Sequence, residues 1–196
     1  MANYSASITS SLFWLQESRT TARYISEGMS RKELCQLSRD ENIFMAPSDD
    51  RKRKIANTTY DRISKLPEEL IRELGFCDVA EARLIVLYSI LLSDDLFHDF
   101  MIEIFKPKLI FGNTEMTAND VRIYLENKKA THESVQKISE ASFYKLGQTY
   151  IKMLVEGGLI NNAKEGKIIK PYIPYTLFKN LENCGGQEYL AILRGY

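Results

Sequence analysis

The chain has 196 residues, of which 44% are hydrophobic and 27% charged, the composition of an ordinary globular protein long enough to bury a sizeable core. Its 26 Lys and Arg balance its 26 Asp and Glu, which excludes a chain-wide charge for binding polyanions, so any nucleic-acid site has to be a local patch. Residues 1–100 carry 13 basic and 16 acidic residues, whereas residues 101–196 carry 13 and 10, so the basic excess lies in the second half.

The three cysteines, Cys35, Cys77 and Cys184, lie far apart in the sequence. An odd, dispersed set argues against a disulfide framework and against a zinc site, which needs closely spaced Cys and His. We therefore expect a reducing, cytoplasmic location. The N-terminal residues lack the basic and apolar segments of a signal peptide. The longest apolar run, residues 84–92, is far shorter than the roughly 20 residues that cross a bilayer, so we expect no membrane partner.

The first half of the chain is typical of a series of helices. One helix is predicted over residues 15–28. A second is predicted to begin with a capping box, in which the hydroxyl of Ser30 and the carboxylate of Glu33 satisfy unpaired amides. Ser48 is predicted to cap a third helix, and Pro67 is a suitable first-turn residue for a fourth.

Residues 79–105 are the most apolar stretch of the chain. Apolar side chains lie almost all round the helical wheel there, which is typical of a central, buried helix. We predict one or two core helices, broken near Ser93. The expected core positions with helical spacing are Leu84, Leu87, Leu91 and Phe97. Trp14 is expected to be a further core anchor.

Helical signals continue in the second half. After a predicted connector at residues 106–116, Thr117 and Asp120 have the spacing that caps a helix. A polar, turn-like stretch follows at residues 127–134. Another helix is predicted to begin near Ser139 and to stop at a glycine pair, and a last one to cover residues 175–181.

The predicted fold class is all-α, mainly a helical bundle, with a small β-hairpin. We predict two domains. The first is an N-terminal helical bundle over residues 1–110, and the second is a C-terminal module that is similar to a winged helix-turn-helix over residues 111–196.

The predicted helix at residues 139–156 has two contrasting faces. One is an apolar stripe whose members are three or four residues apart and are expected to be buried: Phe143, Leu146, Tyr150 and Leu154. The other carries hydroxyl, amide and ammonium groups: Ser142, Lys145, Gln148, Thr149 and Lys152. No carboxylate interrupts the second face before Glu156. Because such groups bind base edges and phosphates, we predict that this helix contacts DNA.

A β-hairpin is predicted immediately after that helix, from two short apolar runs separated by the letters NAKEGK. Gly166 supplies the positive φ that a tight turn needs. Lys164, Lys167 and Lys170 lie at or beside the tip. Helix, glycine, strand, basic turn and strand follow the order of a winged helix-turn-helix, so the lysines are predicted to meet DNA. The alternative is a plain hairpin that closes the core, with lysines that serve solubility.

A second basic cluster consists of Arg51, Lys52, Arg53 and Lys54. Four consecutive residues on a helix point all round it, so they cannot all meet one ligand. The cluster is either a phosphate-contact patch or a solvated helix start that offsets the charges of Asp49 and Asp50.

Catalytic signals are weak. Asp95, His98 and Asp99 share one helical face, but three ligands from one helix without a fourth partner favour an ordinary polar face over a metal-dependent nuclease. The sequence contains no glycine-rich phosphate loop and no nucleophile elbow. We therefore predict no enzymatic activity, no catalytic residue, no metal and no cofactor.

The order of several short motifs resembles the BrxA family of bacteriophage-exclusion (BREX) systems, and the resemblance spans nearly the whole chain. The matching motifs are YSAS at 4–7, ESR at 17–19, RDENIF at 39–44, the basic cluster at 51–54, LP at 66–67, Thr117 with Asp120, and the segment from Ser142 through LVEGGLI to Pro171 and Pro174.

This resemblance implies a small, helical, non-enzymatic component of a phage-defence locus. It further implies double-stranded DNA and other BREX subunits as partners. Because the family's helical bundle is similar to transcription-antitermination proteins, RNA binding is one alternative, and a protein-interaction scaffold is another. Oligomeric state and DNA sequence preference stay open.

Overall fold

The computed structural model describes residues 4–195, and these residues are mainly helical, as predicted. The chain divides into two compact units. The first spans Trp14–Ser93, and the second joins the residues up to Phe13 to those from Asp94 onward. The predicted domain boundary at residue 110 lies within the second unit. That boundary stays a prediction about which parts fold independently.

The first unit is built from α1 (Leu15–Ser26), α2 (Arg31–Glu41), α3 (Asp49–Ile63), α4 (Glu68–Phe76) and α5 (Val79–Leu91). Helix α1 packs against α3 and α4, and α2 packs against α3. Both predicted caps are confirmed. Ser30 and Glu33 form a complete capping box at the start of α2, and the Ser48 side chain accepts a hydrogen bond from the Arg51 N–H at the start of α3.

Helix α5 is the central helix of the first unit, because every residue from Leu84 to Leu91 is buried. The predicted core positions Leu84, Leu87, Leu91 and, in the second unit, Phe97 are confirmed. Trp14 is also a core residue, packed in one cluster with Leu34, Phe44 and Ile55. The predicted break is confirmed as well, since α5 ends at Leu91 and the next helix begins at Asp95 with Asp94 as its N-cap.

The second unit contains a short 3-10 helix at Ser7–Ser10, then α6 (Asp95–Phe100), a π-helical segment (Met101–Phe105), α7 (Lys106–Ile110), α8 (Ala118–Thr131), α9 (Glu133–Gln136), α10 (Glu140–Glu156), α11 (Tyr175–Asn183) and α12 (Gln187–Arg194). Its core is aromatic. The Tyr150 ring lies 4.9 Å from the Phe97 ring and 5.2 Å from the Phe100 ring, and Phe100 lies 5.4 Å from Tyr124.

Two predicted connections are helical in the structure, so those predictions were wrong. Helix α7 replaces the first part of the predicted connector, and α8 continues to Thr131 through residues predicted to form a turn. The Lys106 N–H donates to the carbonyl of Met101, five residues back, and Pro107 has no N–H to donate. The helix therefore passes the proline through a widened π turn rather than ending there. Helix α12 was not predicted.

The predicted β-hairpin is not confirmed, and the winged helix-turn-helix assignment that depends on it is not confirmed either. Within residues 4–195, pairing near the turn consists of isolated antiparallel bridges, Ile160 with Ile168 and Glu115 with Lys167. Asparagine side chains accept from one amide that a longer ladder would use and from two amides within the turn. The Asn161 Oδ1 atom accepts from the Lys167 N–H at 2.9 Å, and the Asn162 Oδ1 atom accepts from two further amides.

Candidate nucleic-acid interface

The candidate interface is built on α8, α9 and α10, and the start of α8 is fixed by polar contacts. The predicted cap is confirmed, because Thr117 Oγ1 accepts from the Asp120 N–H and Asp120 Oδ2 accepts from the Thr117 N–H at 2.7 Å. Lys108 of α7 lies 2.9 Å from Asp120 Oδ1. Burial alone would raise the pKa of Asp120, but hydrogen bonds from Thr117 and Lys108 hold it below its ordinary value. Asp120 therefore stays ionised and anchors the helix.

Helix α10 buries its apolar stripe largely as predicted. Leu146, Tyr150 and Leu154 are completely buried. Phe143 was expected to be buried but is only half-buried. Its ring centroid lies 5.3 Å from the ammonium of Lys129 on α8. Because that ammonium needs access to water, the ring stays at the edge of the helix pair.

The opposite face of α10 carries the five predicted contact residues. Lys145, Gln148 and Lys152 are exposed, while Ser142 and Thr149 are half-buried. The Thr149 hydroxyl donates to the Lys145 carbonyl at 2.8 Å, and the Ser139 hydroxyl donates to the Ser142 hydroxyl at 3.0 Å. Both hydroxyls are thus engaged within the helix. Lys145 and Gln148 are exposed, and the exposed Lys152 ammonium lies 3.6 Å from Glu156 at the end of the helix.

The lysine turn, residues 161–170, follows α10 and has a defined shape. Gly166 has a φ of +63°, and a Cβ atom at this position would lie 2.1 Å from the Met116 carbonyl oxygen. The Met116 N–H donates to the Gly166 carbonyl at 2.8 Å, so two backbones meet here at a distance that only glycine permits. The turn is thereby tied to the segment that precedes α8. Lys164, Lys167 and Lys170 are all exposed on it.

The second basic cluster lies at the start of α3, in the first unit, and three of its side chains have intramolecular partners. The Lys52 ammonium lies 2.9 Å from Asp49 and also donates to the Arg39 carbonyl. Arg53 pairs with Asp50 at 3.0 Å, and the Arg51 guanidinium lies 5.0 Å from the Trp14 ring centroid. Lys54 is half-buried. These contacts favour the interpretation that the cluster offsets Asp49 and Asp50.

Two residues of the minor metal hypothesis, His98 and Asp99, have other partners. His98 Nε2 lies 3.1 Å from a carboxylate oxygen of Glu188, and Asp99 pairs with Lys128. In the part of the chain that the structure describes, no three or more His, Cys, Asp or Glu side chains are grouped so that they could hold a metal ion. None of the described helices is both long and apolar enough to cross a membrane.

A groove of about 690 Å³ lies between α8 and α10 and was not predicted from the sequence. Its walls include Arg122, Glu126 and Lys129 of α8, and Tyr144 and Gly147 of α10. Tyr144 is 70% exposed, and a Cβ atom at Gly147 would meet nothing within 4 Å. Nothing in this chain therefore requires glycine at position 147. A tyrosine three residues before a glycine within a predicted helix was the available signal.

The chain is similar to known proteins along nearly its whole length. The BrxA family model matches residues 2–185. The chain is 35% identical over 193 residues to the BREX protein BrxA of Bacillus cereus (strain H3081.97), covering 98% of this chain and 96% of that protein. It is 20% identical over 154 residues to the BREX protein BrxA of Escherichia coli O9:H4 (strain HS), covering 79% and 72%. A crystal structure of an uncharacterized protein from Magnetospirillum magneticum shares the fold, with a TM-score of 0.82 over 100% of both chains and 18% identity.

Proposed function

This chain belongs to the BrxA family, and from that premise we propose that it is a non-enzymatic, DNA-binding component of a BREX phage-defence system. Both relatives are named as BREX proteins, which supports a role in a BREX system and implies that other BREX subunits are its partners. The face of α10 and the lysine turn support the DNA-binding role.

One observation carries the DNA-binding proposal. The exposed face of α10 presents Lys145, Gln148 and Lys152, and a glycine-fixed turn with three exposed lysines follows the same helix. An amide can bond a base bidentately, and ammonium groups meet phosphates. In our proposal α10 enters the major groove of double-stranded DNA, and Lys164, Lys167 and Lys170 contact its backbone in the manner of a wing.

The cluster Arg51–Lys54 has a smaller part in this proposal. Three of its four cations already have a carboxylate, carbonyl or aromatic partner, which competes with phosphate for each of them. We assign the main interface to the second unit for this reason.

Burial makes three groups unsuited to act as a nucleophile or a base. It raises the pKa of the Cys77 thiol to about 12, and it raises the pKa values of Tyr124 and Tyr150 well above their ordinary range. A thiol or phenol whose pKa is raised stays protonated at neutral pH, which makes it a poor nucleophile or base.

The groove between α8 and α10 favours a second candidate function, a protein-interaction scaffold. Exposed Tyr144 lies in it, and the Arg122–Glu126 pair at 2.6 Å neutralises part of its rim. A neutral rim beside an aromatic ring suits a protein surface better than a phosphate backbone.

Salt dependence separates the two candidates. The purified full chain is titrated into two unrelated fluorescent duplexes at several salt concentrations, and anisotropy reports the affinity. DNA binding through lysines releases counterions, so the logarithm of the affinity should fall linearly with the logarithm of salt, with a slope of about −0.9 per phosphate contact. Absence of duplex binding, or binding insensitive to salt, would favour the scaffold.

A further inference from the structure

The stretch that follows the lysine turn combines exposed aromatic rings with positive charge. Residues 166–181 contain three lysines and no carboxylate, although the whole chain has a net charge of zero. Tyr172 is 83% exposed and Tyr175 is 72% exposed. Neither ring supports the core of the second unit, so the fold itself does not account for them.

We propose that this aromatic segment, residues 167–179, binds a single strand of nucleic acid. Tyr172 and Tyr175 stack on unpaired bases, and Lys167 and Lys170 contact the phosphates between them. This inference rests on the proposed function and extends it from a duplex to a single strand, with Lys167 and Lys170 shared by the two modes of binding.

The backbone of the segment favours such a site. Between Lys170 and Pro174 the chain is neither helix nor strand, and Pro171 and Pro174 each fix φ near −65°. The two prolines reduce the number of conformations that the intervening tyrosine can sample, so less entropy is lost when a base stacks on its ring. Base stacking on an aromatic side chain accepts any base, since every base has a flat π face.

The start of α11 adds favourable electrostatics. This nine-residue helix begins at Tyr175 with no side-chain cap and no acidic residue in its first turn. Its first amides and the positive end of its dipole therefore favour a phosphate beside Tyr175. The Lys179 ammonium lies 5.9 Å from the Tyr175 ring centroid and 5.8 Å from that of Phe178, and it pairs with Glu182 at 2.7 Å.

The exposed rings of Tyr172 and Tyr175 favour an unpaired strand over a duplex. In B-form DNA the bases are stacked on one another, so a protein reaches only their edges and the backbone. An exposed phenol ring gains little from those edges, whereas an unpaired base offers its whole face. The expected occupant is therefore a single strand, of DNA or of RNA.

The experiment compares three fluorescent probes with the full chain at one salt concentration. They are an oligo-dT and an oligo-U of about 20 nucleotides, longer than one stacking site needs, and a duplex of the same length. The Tyr172→Leu/Tyr175→Leu variant should lose roughly tenfold or more in affinity for at least one single strand, and change less than about twofold on the duplex. The single-stranded probe with the greater loss identifies the source as DNA or RNA.

Two further variants control the result. Tyr172→Phe/Tyr175→Phe keeps both rings and should bind single strands like the wild type. Phe76→Leu removes a ring of the first unit that is 79% exposed and also lies near a cation, since the Arg23 guanidinium is 5.8 Å from its centroid. This variant should bind all three probes like the wild type. Equal single-strand binding by the Leu variant and the wild type would overturn the inference. So would a wild type that binds the duplex but neither single strand, and this result would leave the proposed function intact.

Discussion

The ammonium of Lys128 lies 2.9 Å from Oδ2 of Asp99, at the centre of a charged network inside the second unit. It also lies 2.7 Å from Glu103 and 3.3 Å from the Tyr4 hydroxyl, which donates to Asp99. Lys128 is only 7% exposed. Burial alone would lower its pKa, but hydrogen bonds with Glu103, Asp99 and Tyr4 hold the pKa well above its ordinary value. The network joins the first described residue of the chain to α8 and to the π-helical segment.

Replacing Lys128 with methionine should destabilise the protein. The change removes the ammonium that pairs with both Asp99 and Glu103. We expect a loss of about 2–4 kcal/mol in the free energy of unfolding, less than for fully buried pairs because both carboxylates keep some contact with water. Urea denaturation measures the loss. The matched control is Lys129→Met, which removes a neighbouring surface cation and should cost under about 1 kcal/mol. Equal losses in the two variants would show that the network does not stabilise the fold.

The stability of the protein should depend on pH through the carboxyl group of Glu81. Burial, followed by a hydrogen bond with Glu73 and repulsion from Glu73 and Asp78, raises the pKa of Glu81 from 4.5 to about 7. The folded state therefore holds this proton more tightly than the unfolded state does. The resulting stability is fully present below about pH 4.5 and is lost as the pH rises through about 7.

The Glu81→Gln variant tests whether stability falls as the pH rises. The amide can donate to Glu73 as the protonated carboxyl does, but it does not ionise. Thermal unfolding at intervals from pH 5 to pH 8 should show the wild type losing stability relative to the variant as the pH rises. A constant difference across this range would contradict the raised pKa of Glu81.

Gly166→Ala should distort the lysine turn. The new methyl group needs a positive φ and meets the Met116 carbonyl oxygen at 2.1 Å, so we expect a loss of about 2–4 kcal/mol. Gly112→Ala is the matched control, because Gly112 also has a positive φ of +69° but has nothing within 4 Å of a Cβ atom. It should cost only about 1 kcal/mol. Similar losses for both variants would mean that the close approach to Met116 is unimportant.

Local signals predicted much of the helical fold. A cap depends on a side chain and a backbone amide three residues away, as in Ser30 with Glu33, so the sequence contains the whole interaction. The central position of α5 was predictable for a similar reason, because a helix that is apolar all round has no face suited to water.

Long-range interactions account for most of what the sequence did not predict. Lys128 meets partners that are 25, 29 and 124 residues away, and no periodicity connects those positions. The groove between α8 and α10 likewise depends on how two helices pack. The hairpin prediction failed because the side chains of Asn161 and Asn162 compete for the amides of the turn, and an alternating pattern does not show that competition.

The central claim is that the lysine turn contacts the DNA backbone, and a charge-matched salt titration tests it most directly. Lys164→Ala/Lys167→Ala removes two exposed cations from the turn, while Lys32→Ala/Lys65→Ala removes two exposed cations from the first unit. Both variants have the same net charge. Their affinities for one duplex are measured by anisotropy at several salt concentrations. The turn variant should bind this duplex more weakly, with a salt slope smaller by about 2, and the control should bind like the wild type. Identical slopes for the turn variant and the control would contradict the claim.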